Sequence, residues 1–224
     1  MHHHPTSLTI PLPGGGVTSG LLEVPAAKAA CYVFAHGAGA GMDHAFMNAV
    51  ARGLAERGIA TLRFQFPYME QGSKRPDPPA VAQAAVRAAV HEAAARLPGV
   101  PLFAGGKSYG GRMTSQAQAA EPLPGVRGLA FVGFPLHPTG KPSTERADHL
   151  AQVQLPMLFL QGTRDTLADL KLIRQTTTHL GTRATLHVVE GADHSFHVLV
   201  RSGRTDEQVL QEVLDVMAGW MKSG

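Results

Sequence analysis

The sequence predicts an α/β fold: a mostly parallel, doubly wound sheet of about seven or eight strands with helices on both faces. Three observations carry this expectation. Short apolar runs alternate with helix-length stretches along the whole chain. The central runs are continuously apolar, as parallel strands covered on both faces must be. Four of them end in short loops bearing glycine or reactive side chains, at residues 36–41, 106–110, 162–165 and 191–194.

The elements follow in order. Residues 7–12 alternate as a strand, Gly14-Gly15-Gly16 turns, and residues 20–24 return as an antiparallel partner. Residues 30–35 are a buried central strand ending in the glycine-rich loop 36–41. Asp43 is placed to cap the next helix, which shows Phe46, Val50 and Leu54 on one face and stops at Gly58. Residues 60–66 form a strand. The four prolines of 67–79 mark a loop, polar enough through Tyr68 and Glu70 to rim a site. A helix over 80–97 buries Val86, Val90, Ala93 and Leu97. Residues 100–104 form a strand, 113–121 a helix stopped by Pro122 and Pro124, and 126–134 another strand. The connection 135–156 has room for one short helix but not for a large cap domain, so an open, shallow site is expected. A strand at 157–160, a helix at 167–180 and a last strand at 184–189 follow. Thr205 and Gln208 form a capping box for the final helix, which packs through Val209, Leu210, Val213, Val216, Met217 and Trp220. No compositional break divides the chain, so residues 1–224 are expected to form one domain. Its first residues, with His2, His3 and His4, are set apart as a tag remnant or a native start.

Composition narrows the classes of function. A chain of 224 residues with 44% apolar and 17% charged residues is that of a soluble globular protein. A net charge of +3 with scattered basic residues argues against a nucleic-acid partner. No apolar stretch approaches the length of a membrane span, and no signal-peptide core opens the chain. The single Cys31 leaves no disulfide framework and fits a reducing, cytoplasmic setting. Outside the leading histidines no His, Cys or Asp spacing matches a metal site.

The chemistry centres on Gly106-Lys107-Ser108-Tyr109-Gly110, which reads G-x-S-x-G. In this turn a strand bends sharply into a helix, and the serine at its apex takes a strained conformation. Side chains two residues to either side would clash, so both are glycine. Gly106-Lys107-Ser108 also imitates the end of a phosphate-binding loop, but Pro101 stands where that motif needs glycine. Serine is a weak nucleophile without a base to take its proton, and the base needs a carboxylate to fix its tautomer. Ser108, Asp165 and His194 occur in that order at strand exits, where open α/β sheets bind ligands. Asp193 and His197 are the rival acid and base; Asp165 could instead cap the following helix, and His36 brace its loop. Tyr68, Arg112 and His137 are candidate substrate contacts, with structural or solvated roles as the alternative.

The stretches VFAHGAGAGMD, FAGGKSYGGR, FLQGTRD and VEGADHSF span nearly the whole chain. In them the sequence resembles the α/β-hydrolases, specifically small cap-less serine hydrolases similar to the dienelactone hydrolase group. The resemblance implies Ser108 as nucleophile, His194 as general base and then acid, and Asp165 as orienting carboxylate. It implies an oxyanion hole from the amide of Tyr109 and that of Ala38, with Gly37 the alternative. Dienelactone hydrolases proper carry a cysteine nucleophile, and Lys107 beside Ser108 is unusual. The function implied is hydrolysis of a small-molecule ester, thioester or lactone by a monomer or homodimer with no cofactor. An acyltransferase or perhydrolase on the same residues, or a non-catalytic interaction module on this fold, are the other readings.

Overall fold

The computed structural model describes residues 4–223; Met1, His2 and His3, set apart above, lie outside the described residues. Strand β1 (Thr6–Pro11) buries Leu8 and Ile10 and exposes their neighbours, the period-two pattern of a strand with one wet face. Leu12 N–H donates to the Gly16 carbonyl at 3.1 Å to close the turn, and β2 (Val17–Glu23) returns antiparallel. Strand β2 also pairs antiparallel with β4 (Ile59–Phe64), which lies parallel to β3 (Ala30–Ala35). Beyond β3 every pairing is parallel: β5 (Leu102–Lys107), β6 (Val126–Val132), β7 (Met157–Gly162) and β8 (Ala184–Val189). The eight strands stand in the order β1-β2-β4-β3-β5-β6-β7-β8.

Helices cover both faces, which is why β3 reads as an unbroken apolar run and why β4 buries even Thr61 and Arg63. Strand β3 sends Cys31, Val33 and Ala35 into one core and Tyr32 and Phe34 into the other. The first core is closed by α3 (Pro79–Arg96), α4 (Tyr109–Ala120) and α5 (Leu170–Leu180), through residues such as Val86, Val90, Met113 and Ile173. The second is closed by α1 (Ala45–Glu56) and α6 (Asp206–Ser223), through Met47, Val50, Leu54, Val209, Val213 and Met217. The capping box of α6 forms: Gln208 N–H donates to Thr205 Oγ1 at 3.2 Å, and Thr205 N–H to Gln208 Oε1 at 2.9 Å. The connection 135–156 carries only a 3₁₀ segment, Glu145–Gln152, and builds no cap.

Several boundaries differ from expectation, each for a local reason. Strand β5 runs three residues beyond Ala104, because Gly105 and Gly106 continue the ladder opposite Ala130 and Phe131. For the same reason α4 starts at Tyr109, with Gly110 and Gly111 inside its first turn. Helix α1 is capped by His44, not Asp43: His44 Nδ1 accepts from Phe46 N–H at 3.2 Å, while Asp43 Oδ1 accepts from Asn48 at 2.9 Å. Helix α5 starts at Leu170 rather than 167, since Asp169 Oδ1 caps it through Leu172 N–H at 3.1 Å. The proline-rich stretch 67–79 opens with one helical turn, α2 (Pro67–Glu70), led by a proline whose fixed φ suits that position.

Candidate active site

The turn between β5 and α4 holds Ser108 at φ 50°, ψ −115°, in the left-handed region that non-glycine residues rarely occupy. The two flanking glycines make this possible. A Cβ on either Gly106 or Gly110 would lie 2.5 Å from the Ala35 carbonyl oxygen, so the elbow can press against the end of β3 only without side chains there. The result aims Ser108 Oγ at the ends of β7 and β8.

Those ends carry Asp165 and His194. Ser108 Oγ lies 2.8 Å from His194 Nε2, and His194 Nδ1 lies 2.7 Å from Asp165 Oδ2. Asp165 has no exposed side-chain surface, and all its partners are donors: besides His194, Gln161 Nε2 donates to Oδ2 at 2.5 Å and Leu167 N–H to Oδ1 at 2.8 Å. An acceptor-only carboxylate therefore requires the proton on His194 Nδ1 and leaves Nε2 free to accept from the serine. This arrangement can take a proton from Ser108 as its oxygen attacks a carbonyl, then return it to a leaving group.

The rival groups are occupied elsewhere. Asp193 Oδ1 accepts from Ser195 N–H at 2.8 Å and His197 N–H at 3.0 Å, folding its own turn. His197 pairs with Asp206 at 2.8 Å on the surface, and that hydrogen bond raises its pKa. His36 braces its loop: Phe66 N–H donates to Nε2 at 3.0 Å, and Nδ1 donates to the Gly37 carbonyl at 2.7 Å. Among the described residues, the amides of Ala38 and Tyr109 donate to no protein acceptor. Gly37 and Ala38 line the same cavity as Ser108. Both loop and helix terminus thus offer free N–H groups beside the serine.

That cavity measures about 520 Å³ and has apolar walls from Ala38, Phe46, Met47 and Leu167, with Lys107 and His194 among its polar groups. A larger cleft of about 620 Å³ around Arg63, between β2 and α1, lies away from these residues. Tyr68, Arg112 and His137, expected as substrate contacts, do not line the cavity beside Ser108. Tyr68 is buried rather than at a rim, and its hydroxyl accepts from Gly39 N–H at 3.0 Å, holding the loop that bears Ala38. His137 is also buried, with Nδ1 on the Pro138 carbonyl at 2.9 Å and Nε2 accepting from Asp169 N–H at 2.8 Å. Arg112 sits near Arg146 with its buried Nε unpartnered; burial, then Arg146, lowers its pKa.

Two residues escaped the sequence reading. Gln161 turns its Oε1 to accept from Phe134 N–H at 3.0 Å, which fixes its Nε2 toward Asp165. A buried polar residue just past the apolar run of β7 is the available signal. Gly162 lets the loop bearing Asp165 meet the loop bearing His194: a Cβ there would stand 2.2 Å from the Ala192 carbonyl oxygen. The same carbonyl accepts from Arg164 N–H at 2.9 Å.

Burial holds two histidines, His36 and His149, neutral. His36 is pushed down to about 4 by desolvation, partly offset by its bond to Gly37. His149, which shares a 2.7 Å hydrogen bond with Ser115 Oγ, is pushed down to about 4 by desolvation and by Arg112. Unfolded histidines titrate near 6.5, so between that pH and 4 the unfolded chain binds more protons than the folded one. The stability that these two neutral rings contribute is full above about pH 6.5 and is lost as pH falls toward 4. The Tm measured from pH 7.5 downward should fall through this window; a flat Tm there would contradict the buried, neutral state of both rings.

A family model for an alpha/beta hydrolase domain matches residues 28–222. Among solved structures, a lidless α/β serine hydrolase from Xanthomonas campestris is 22% identical, with a TM-score of 0.70 and coverage of 95% of this chain and 96% of that one. A dienelactone hydrolase from Anabaena variabilis is 20% identical, with a TM-score of 0.76 and 97% of each chain covered. Est1E from Butyrivibrio proteoclasticus is 18% identical, with a TM-score of 0.67, covering 95% of this chain and 99% of that one. These likenesses concern the fold. With the family model spanning almost every element from β3 to α6, the chain belongs to the alpha/beta hydrolase domain family.

Proposed function

We propose that this chain is a serine hydrolase that cleaves a small ester, thioester or lactone through an acyl-enzyme on Ser108. The observation that carries the reading is the unbroken run of hydrogen bonds from Asp165 through His194 to Ser108, at 2.7 and 2.8 Å. Ser108 Oγ attacks the carbonyl carbon while His194 Nε2 takes its proton. The carbonyl oxygen gains the negative charge and is met by the amides of Tyr109 and Ala38, preorganised donors in a site that need not reorient. Collapse expels the leaving oxygen or sulfur, which takes the proton from His194. A water then gives a proton to His194 and attacks the acyl carbon, and the proton returns to Ser108 as the acid departs. Asp165, accepting from His194 Nδ1, stabilises the imidazolium.

The cavity supports a compact acyl group. Its walls are largely apolar, and about 520 Å³ is the scale of a small-molecule site. Among the fold neighbours are a dienelactone hydrolase and a lidless serine hydrolase, activities that belong to those proteins and fit this choice of substrate class. Nucleophile, base and acid come from one chain, so a monomer and a homodimer would be equally complete. A cytoplasmic setting fits the free, buried Cys31. No helix among the described residues is long and apolar enough to cross a membrane.

Labelling with a fluorophosphonate, followed by intact mass, tests the reading. The wild type should take up one phosphonyl group, mapped to Ser108, and should hydrolyse short-chain p-nitrophenyl esters. A folded wild type that is neither labelled nor active on esters would overturn it.

A further inference from the structure

Lys107 is the last residue of β5 and the neighbour of Ser108 in the chain. Its ammonium reaches the loop after β8 and donates to the backbone carbonyl of His194 at 2.5 Å. Two aromatic rings flank it, Phe46 from α1 at 5.9 Å and Phe196 at 5.5 Å from ring centroid to Nζ. The two rings stack on each other with centroids 6.2 Å apart. Gly133, just past β6, closes the slot: a Cβ there would lie 3.0 Å from Lys107 Nζ and 3.4 Å from His194 Cε1. Phe196 reaches its place only by adopting φ 64°, a conformation that a bulky residue keeps when its surroundings over-determine it.

We infer that Lys107 is a positioning residue for His194: it ties the main chain of the base to the residue beside the nucleophile and so holds Nε2 at Ser108 Oγ across β6 and β7. This rests on the reading of Ser108 as the nucleophile. The tether is short, charge-assisted and braced on two ring faces, a stronger link than a neutral hydrogen bond. Its charge is conditional. Burial pushes the Lys107 ammonium down to about 8, against the upward pull of Asp165 and Asp193. The groups facing it are Asp165 after β7, Asp193 and His194 after β8, and His44 before α1, which lines the same cavity; Gly133, just past β6, brings no charge. Above that pH the amine keeps a weaker hydrogen bond and loses its attraction to the rings.

The test follows the rate of fluorophosphonate labelling and kcat/KM for a p-nitrophenyl ester from pH 6 to 10, with thermal melts, in wild type, Lys107→Met and Lys107→Arg. The wild type should lose rate on the alkaline side with a midpoint near pH 8. Lys107→Arg, charged throughout the range, should move that fall up by more than one pH unit. Lys107→Met should lower kcat and labelling about 10- to 100-fold with little change in KM, the effect of a base displaced by a fraction of an ångström, and should show no alkaline fall. A folded Lys107→Met that labels at the wild-type rate overturns the inference. So does a Lys107→Arg that keeps the midpoint near 8, which decides the matter even if the Met variant does not fold. An unlabelled wild type removes the Ser108 reading and this one with it; a labelled wild type with an unmoved Met variant removes only this one.

Discussion

Ser108→Ala should lower kcat on an ester by about 10⁶-fold and abolish fluorophosphonate labelling, while the melting curve barely moves. The substitution deletes one atom. The backbone at φ 50° strains alanine as much as serine, and the elbow is fixed by Gly106 and Gly110 against the end of β3 rather than by the hydroxyl. His194 Nε2 loses its 2.8 Å partner and keeps its bond to Asp165. The free amides of Ala38 and Tyr109 remain, so residual turnover by a water in place of the serine should still exceed the uncatalysed rate. Steady-state hydrolysis of purified protein checks this. Activity within tenfold of wild type would place the nucleophile elsewhere.

Asp165→Asn should cost about 10⁴-fold in kcat, close to the loss expected when a base is held in the wrong tautomer. The surroundings of the carboxylate make this more than a change of charge. Oδ1 accepts from Leu167 N–H and Oδ2 from both Gln161 and His194. An asparagine must turn its NH₂ toward one side or the other. Toward Leu167 it sets donor against donor. Toward His194 it opposes the Gln161 amide and forces the imidazole to present a bare Nδ1, which moves the ring proton to Nε2, where it faces the serine. Gln161 cannot flip to relieve this without giving up its bond from Phe134 N–H. Kinetics on the variant, with the imidazole N–H proton followed by NMR, reads both the loss and the tautomer. A variant with unchanged kcat would hand the orienting role to another group.

The sequence is informative about this molecule where a local rule applies and silent where the sheet decides. Apolar runs and the loops that end them give strands and their exits, because each run reports its own burial. Ser108, Asp165 and His194 stand out because each sits in such an exit beside glycine or a turn. The limits of β5 and α4 are not legible in the sequence because Gly105, Gly106, Gly110 and Gly111 carry no apolar signal, although two continue a strand and two begin a helix. Tyr68 looked like a rim residue in a proline-rich loop, but α2 turns it inward to hold Gly39. The roles of Gln161, Gly162 and Lys107 depend on which strand ends lie side by side. Lys107 meets a carbonyl 87 residues away, and nothing in its neighbours along the chain announces that.

Strand order also bears on how such a molecule ages. The serine follows a central strand, β5, flanked by β3 and β6, whereas the histidine follows β8, the last strand of the sheet, of which only Val189 is fully buried. Rims of a sheet open at a lower free-energy cost than its middle. On warming, excursions of β8 and its loop should carry His194 away from Ser108 before the body of the protein melts. Catalytic half-life would then be governed by one margin of the structure, and heated samples would lose turnover while retaining their circular dichroism.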